Sequence, residues 1–481
     1  MKKYDVIIIG GGITGTSIAR ELSKYNVSVA LLEAYSDLGI GTTKGNGGVV
    51  HAGYDPKPNT LKGKLNVNGS LMYEKLSKEL DFKYKNTGSL VVGLEDKDLE
   101  YLKKLHENGV KNGVPNIEIL KTDKIKEIEP SISNNAKFAL YAPTAGIVEP
   151  FEVALAFGEN ALENGVDIFL NEKVLSIQKE ENYFYLETEK SKYKSSYIIN
   201  AAGVFADEIS QMVNLKNYSI KPRLGEILIL DKNHNTGLNT VLFPIPSAHT
   251  KGIVVIPSIS GNIIVGSTAR MVDDKEDLSN TVEGINELLN GARKMVSQIN
   301  SKMIIREFAG LRAVALENND DFYIEASSEV KGFIHVAGIQ SPGVASAPAI
   351  AEYVRDILSD EGLDLKFKSN FTPYRNGIVH FSDLSMEERE NFIKDNPSYG
   401  NVICRCETIT EGEILQSINR PLGAKTLDGV KRRTRAGMGR CQGGFCQHRI
   451  LNILSKELHL SENEIYLENK SSNVILNRLK G

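Results

Sequence analysis

The first 403 residues of this 481-residue chain hold no cysteine; all four cysteines lie between positions 404 and 446. A secreted disulfide scaffold is therefore excluded, and a reducing, cytoplasmic setting is the expectation. No apolar stretch approaches the roughly 20 residues that a membrane-spanning helix needs, so no direct membrane span is expected. Met1-Lys-Lys leads straight into an apolar run, so no signal peptide is expected either. An excess of positive charge is lacking too. The formal net charge is −4, which gives no case for nucleic acid as a partner. Internal repeats and low-complexity segments are absent. What remains is 41% hydrophobic and 25% charged, the composition of an ordinary globular chain with room for two to four domains.

The most informative stretch is the first. Val6–Ile9 is short, wholly apolar and β-branched, as in a strand buried on both faces. Gly10, Gly12 and Gly15 follow in the G-x-G-x-x-G spacing. Gly10 permits the tight turn, Gly12 lets backbone approach a pyrophosphate, and Gly15 lets the next helix pack close to the strand. Ile18, Ala19 and Leu22 recur at helical spacing, Val27–Leu32 reads as a second strand, and Glu33 ends it with a carboxylate able to accept ribose hydroxyls. Strand, turn, helix, strand and acid in register specify a dinucleotide site; they do not choose FAD over NAD.

Gly39–Gly53 is a glycine-rich loop of the kind that wraps a ligand with backbone N–H groups. His51 lies in it, either as a proton acceptor or as a packed loop histidine. Thr60 can cap a helix through Leu61, Leu65, Met72, Leu76 and Leu80, and Gly88–Gly93 reads as a strand. Phe151–Asn164 is helical, Val166–Leu170 and Val174–Ile177 are strands, and Tyr197–Gly203 is a buried strand ending in small residues. From Lys221 to Ala269 the pattern turns to short strands (Glu226–Leu230, Gly252–Pro257, Asn262–Gly266), an antiparallel sheet roofing a substrate site. Ser279–Ile299 reads as an amphipathic helix. Arg312 either clamps an anion bidentately or forms a surface ion pair. Phe333–Gly338 is a strand, 339–343 a turn, and Val344–Leu358 a helix whose N-terminus suits a flavin ring better than an adenosine. No second G-x-G-x-x-G follows a strand, which argues against a separate NAD(P)H domain.

Together, Gly10/Gly12/Gly15 with Glu33, Asn200-Ala-Ala-Gly203, Gly310-Leu-Arg312 and Gly338-Ile-Gln-Ser-Pro-Gly343 resemble the FAD-dependent oxidoreductases of the D-amino-acid-oxidase type. The resemblance implies FAD and hydride removal from a C–H next to O or N. It implies cofactor contacts from Gly10, Gly12, Ile13, Thr14, Gly15 and Glu33, and from Thr42, Thr43, Asn46 and Gly48 in the loop. It adds Val174, Ala202 and Gly203, and Gly338, Ser341, Pro342 and Gly343. Asn46-Gly-Gly-Val-Val-His51-Ala-Gly, with Pro58 and Leu61-Lys-Gly-Lys-Leu, also resembles a stretch of the L-2-hydroxyglutarate dehydrogenases.

The C-terminal quarter differs in chemistry. Ser385-x-x-Glu388 opens a helix in a linker or docking arm, Thr410-x-x-Glu413 opens another through Ile418, and Leu427–Thr434 is a third. Cys404-x-Cys406 and Cys441-x4-Cys446 stand 34 residues apart. Four thiolates from two tight turns can hold [2Fe–2S] or Zn²⁺; C-x-C is cramped for zinc, and the glycines around Cys441 free N–H groups for cluster sulfurs. Lys431, Arg432, Arg433, Arg435 and Arg440 either offset a cluster's charge or form a solvated helix face. The segment resembles the bacterioferritin-associated-ferredoxin-like [2Fe–2S] domain, in the form fused to large subunits of the anaerobic glycerol-3-phosphate dehydrogenases. Ala52-Gly-Tyr54-Asp55 lacks the arginine that this family tends to place after the loop histidine.

The expectation is an α/β chain. Residues 1–370 form the oxidoreductase, with a discontinuous Rossmann-type FAD-binding domain (about 1–85, 150–215 and 305–365) and an antiparallel β-rich substrate domain (about 86–149 and 216–304). A linker follows at 371–397, then a small, mainly helical [2Fe–2S] domain at 398–455 and a tail at 456–481. The resemblance implies oxidation of a small anionic hydroxy compound, glycerol 3-phosphate first and a 2-hydroxy acid second. His51 is the candidate base. Arg312 holds the anion, with Lys57, Lys62, Lys64, Arg223 and Arg270 as candidate helpers. Cys404, Cys406, Cys441 and Cys446 pass electrons to a protein acceptor or second flavoprotein, which would also be the only route to a membrane. A non-catalytic electron-relay subunit is the reading from another class.

Overall fold

The computed structural model describes residues 1–233, 236–246 and 252–477. It divides into two units: residues 1–34 with 38–375, and residues 35–37 with 376–481.

The first unit is built on two large sheets. In the eight-stranded one, Lys2–Ile9 lies between Val29–Leu32 and Lys192–Asn200, parallel to both. Val6–Ile9 are at most 5% exposed, which is why an unbroken apolar run, rather than an alternating one, codes this strand. Asp167–Phe169 extends the sheet beyond Val29–Leu32, and Phe333–Ala337 adds in parallel to Lys192–Asn200. All ten residues of the helix Ile13–Leu22 are buried, packed by the helices Pro150–Glu163 and Gly343–Asp360.

The nine-stranded sheet runs from Arg270–Met271 through Ile220–Leu230, Ile263–Gly266, Val254–Pro257 and Val241–Pro244 to Ser89–Gly93, Phe138–Ala142 and Glu118–Lys121, with Ile304–Ala315 alongside Ile220–Leu230. The pattern predicts an antiparallel sheet, and the structure differs at one joint: Val241–Pro244 pairs parallel to Ser89–Gly93. These strands come from distant chain segments, so no hairpin dictates their direction. The helix expected over Ser279–Ile299 is shorter, Val282–Met295, because the Thr281 side chain caps it by accepting from Gly284 N. A small third sheet joins Val49–Val50, Gly146–Val148 and Tyr84–Asn86.

The second unit holds the helices Glu411–Ile418, Leu427–Thr434 and Gln447–Leu458 around a core of Ile414, Ile418, Val430, Leu451 and Leu454. Reciprocal capping boxes form at Ser385/Glu388, Thr410/Glu413 and Ser461/Glu464, as the S/T-x-x-E spacing predicts. The expected tail, 456–481, runs past the described residues, which end at 477. The basic run is mostly neither solvated nor free. Arg433 meets both oxygens of Asp37 at 2.6 and 2.8 Å, Arg432 meets Asp37 and Glu468, Lys431 pairs with Asp428, and Arg435 with Glu407. Asp37 is buried, yet the two guanidiniums outweigh its desolvation and hold its carboxyl below the usual range.

Candidate active site and cysteine centre

The turn after the first strand leaves no room for side chains. Gly10 has φ +111°, and a Cβ there would lie 2.4 Å from the Ala201 carbonyl oxygen. A Cβ on Gly15 would lie 1.9 Å from the Gly10 carbonyl oxygen, so the helix approaches its own strand more closely than alanine allows. The tightest constraint therefore falls on Gly15 rather than Gly12, whose added Cβ would meet only Thr43 Oγ1 at 3.2 Å. Gly12 is the N-cap without a side-chain cap, so most of the helix's first N–H groups are open to a phosphate. Gly15→Ala is expected to leave purified protein without visible flavin absorbance, whereas Gly41→Ala, where an added Cβ meets nothing within 4 Å, should keep it. The flavin-to-protein ratio checks both.

Around this turn the expected contacts converge. Glu33 Oε2 accepts from Gly11 N at 2.6 Å, and Thr43 Oγ1 accepts from Ile13 N at 3.0 Å. Asn46 donates to the Thr43 carbonyl at 2.6 Å and accepts from Gly48 N at 2.8 Å, folding the loop on itself. Ala202 and Gly203 follow the Lys192–Asn200 strand, and Ala202 lies beside Gly10. Thr14 is buried in the first helical turn. Val174 lies elsewhere in the same sheet, packed in the core formed with Ile7 and Ile9.

The loop's far end meets the second glycine turn. His51 Nε2 lies 3.4 Å from Ser341 Oγ, and its ring lies 5.5 Å from that of Phe243. Ser341 and Pro342 precede the helix Gly343–Asp360, which also lacks a side-chain N-cap, and Gly338 turns into it at φ +65°. His51, Asn66, Ser341 and Pro342 line a cleft with Tyr54 and Asp55.

Arg312 is placed by strand register. It sits on Ile304–Ala315 directly opposite Arg223. Two residues earlier, Gly310 lies against Gly45, and Thr42 Oγ1 donates to the Leu311 carbonyl at 2.6 Å, so the glycine-rich loop abuts the strand that carries Arg312. Arg312 is no surface ion pair. Its Nη2 donates to Ser267 Oγ and, at 3.1 Å, to the Thr268 carbonyl, and no carboxylate among the described residues pairs with it. Burial and the neighbouring Arg223 push its pKa down to about 10. Of the candidate helpers, Lys62 pairs with Asp320 at 3.2 Å, Lys64 faces the Tyr353 ring, and Lys57 and Arg270 are exposed. Asn66, Ser267 and Thr268 carry no signal in the sequence; they surface only through tertiary contacts.

In the second unit Cys404 and Cys446 are buried and Cys406 and Cys441 half-buried. The thiols form two pairs: Cys406 Sγ lies 3.6 Å from Cys441 Sγ, and Cys404 is hydrogen-bonded to Cys446. That bond, with N–H groups of Gly437 and Glu407, pulls the Cys404 thiol down against its burial, while burial pushes Cys406 up. A Cβ on Gly439 would lie 2.7 Å from Cys406 Sγ. Among the described residues no three metal-ligating side chains converge on one point. Two thiol pairs suit a two-iron cluster, which shares four thiolates between two irons, better than one tetrahedral zinc.

Comparisons with known proteins agree with this layout. Residues 5–357 match the family "FAD dependent oxidoreductase", and residues 402–456 match "BFD-like [2Fe-2S] binding domain". The chain is 47% identical over 472 residues to a glycerol 3-phosphate dehydrogenase of Caloramator mitchellensis, covering 98% of each. It is 35% identical to a glycerol 3-phosphate oxidase of Mycoplasma genitalium, over 78% of this chain and 99% of that one. Among solved structures, the FAD-bound L-alpha-glycerophosphate oxidase of Mycoplasma pneumoniae superposes with a TM-score of 0.74 at 29% identity, over 78% of this chain and 99% of that one. Among the described residues no helix is long and apolar enough to cross a membrane.

Proposed function

Because the chain belongs to the FAD dependent oxidoreductase family and carries a BFD-like [2Fe–2S] binding domain, we propose that it oxidises sn-glycerol 3-phosphate to dihydroxyacetone phosphate and passes the electrons to a partner protein. The observation that carries the substrate is the Arg312–Arg223 pair. Two half-buried guanidiniums face each other across a strand pair, with no carboxylate among the described residues against Arg312. A largely desolvated cation without a counter-charge is costly unless a ligand anion completes it. The phosphate binds there, in place of the arginine missing after His51.

FAD supplies a two-electron hydride acceptor, and the [2Fe–2S] cluster supplies a one-electron carrier. The chain's own residues do the rest. The turn at Gly10–Gly15 and Glu33 hold the dinucleotide, with Thr42, Thr43, Asn46 and Gly48 closing over it from the loop and Ala202, Gly203 and the Gly338–Gly343 turn from the other strands. His51 takes the hydroxyl proton at Nε2, with Ser341 Oγ orienting the ring. Cys404, Cys406, Cys441 and Cys446 ligate the cluster. The half-buried Cys406–Cys441 edge is where electrons leave, beside Phe445, whose 78% exposed ring offers an apolar contact to the acceptor. Anaerobic reduction of the flavin by a panel of hydroxy compounds tests the reading: glycerol 3-phosphate should bleach it at far lower concentration than L-2-hydroxyglutarate does.

A further inference from the structure

Asn66, on the helix Leu61–Leu80, is wholly buried, and its two amide atoms have different fates. Nδ2 donates to the His51 carbonyl oxygen at 2.5 Å, which fixes which way the amide points. Oδ1 has no hydrogen-bond partner. The helix is held on both sides of this residue. One turn of packing brings the backbone at Gly53 against Val67, where an added Cβ on Gly53 would lie 2.3 Å from Cγ2. The other brings Gly69 against Ala345, where an added Cβ would lie 2.2 Å from the carbonyl oxygen. Asn66 is thus locked between the His51 loop and the Ser341–Gly343 turn, and it lines the cleft they share.

A buried acceptor without a donor is rare and asks for an explanation. Nothing anionic can satisfy it, because phosphate and carboxylate oxygens only accept. The ligand group that completes it must carry an O–H or N–H. Resting on the reading above, in which His51 receives the reacting hydroxyl and Arg312 the anion, we propose that Asn66 Oδ1 accepts a hydrogen bond from a second hydroxyl of the substrate, on the carbon next to the one oxidised. Asn66 thereby selects a vicinal diol phosphate over a 2-hydroxy acid. Glycerol 3-phosphate has that second donor. A 2-hydroxydicarboxylate has one hydroxyl only, and it is committed to His51.

The test compares glycerol 3-phosphate with its deoxy analogue, 2-hydroxypropyl phosphate, in anaerobic flavin reduction by the full-length holoenzyme. Wild type should prefer glycerol 3-phosphate in kcat/KM by about a hundredfold, the cost of leaving one buried acceptor without its donor. Asn66→Ala, with its FAD content verified, should lose activity on both compounds through the freed His51 carbonyl, and the preference should collapse toward unity. Equilibrium titration with dihydroxyacetone phosphate, which keeps the hydroxyl, and with its deoxy analogue should show the same collapse in Kd without turnover. Should Asn66→Ala fail to fold, the wild-type comparison still decides, because equal rates on the two compounds overturn the proposal. A preference that survives Asn66→Ala overturns it while leaving the substrate reading standing. Reduction by L-2-hydroxyglutarate but not by glycerol 3-phosphate overturns both.

Discussion

Arg312→Ala is expected to lower kcat/KM for glycerol 3-phosphate by about 30- to 5,000-fold, the equivalent of about 2–5 kcal/mol for removing one partner of a desolvated charge pair. The loss should appear chiefly in KM, and flavin content should not change. The structural side of the prediction runs the other way. Arg312 stands opposite Arg223 with no carboxylate among the described residues beside it, so removing it relieves a like-charge contact and a desolvated cation at the expense of hydrogen bonds to Ser267 and Thr268. Arg312→Met should therefore hold or raise the thermal midpoint of substrate-free protein. A residue kept for stability would show the reverse: unchanged kinetics and a lower midpoint. Steady-state kinetics and a melting curve on the same preparation separate the two.

Cys441→Ser is expected to break the electron path at its outer end. Substrate should bleach the flavin as fast as in wild type, because that step belongs to the first unit, while reduction of the native acceptor falls by at least about a hundredfold once the one-electron carrier is lost. Wild type should hold about two irons per chain and give a spin-½ EPR signal after anaerobic reduction with dithionite. Cys441 is the informative position because it is half-buried and paired with Cys406 at 3.6 Å, whereas Cys404 and Cys446 also belong to the buried core of the unit. If the serine variant feeds the native acceptor at the wild-type rate, the cysteines serve the fold and not the path.

Within the basic run Lys431–Arg440, the part from Lys431 to Arg435 offers that acceptor little open charge. Arg432 and Arg433 are 5% and 8% exposed and bound to Asp37 and Glu468, and Lys431 and Arg435 have carboxylate partners of their own. Asp37 lies 396 residues from Arg433 in sequence, so no local pattern connects them. The parts of the molecule legible beforehand are those coded within one or two turns of chain: the strand–turn–helix–strand unit from Lys2 to Glu33, the Thr60 cap, the capping boxes at Ser385/Glu388 and Thr410/Glu413, and the helix Leu427–Thr434. What was hidden depends on register between distant segments. The strands Val49–Val50, Gly146–Val148 and Tyr84–Asn86 are too short for periodicity, yet they fix the His51 loop. That Arg312 is no surface ion pair shows only once its cross-strand neighbour is known. Asn66 lies in the alternating stretch Lys64-Leu-Asn-Val-Asn68, where nothing marks it as wholly buried.

The proposed path sends the electrons of one substrate through two cofactors in sequence. Anaerobic holoenzyme mixed with glycerol 3-phosphate, and followed by flavin absorbance and then by EPR on the frozen sample, tests that directly. The account predicts bleaching of the flavin and a spin-½ cluster signal that wild type develops and Cys441→Ser does not. A flavin that stays oxidised with glycerol 3-phosphate while another hydroxy compound bleaches it would contradict the account.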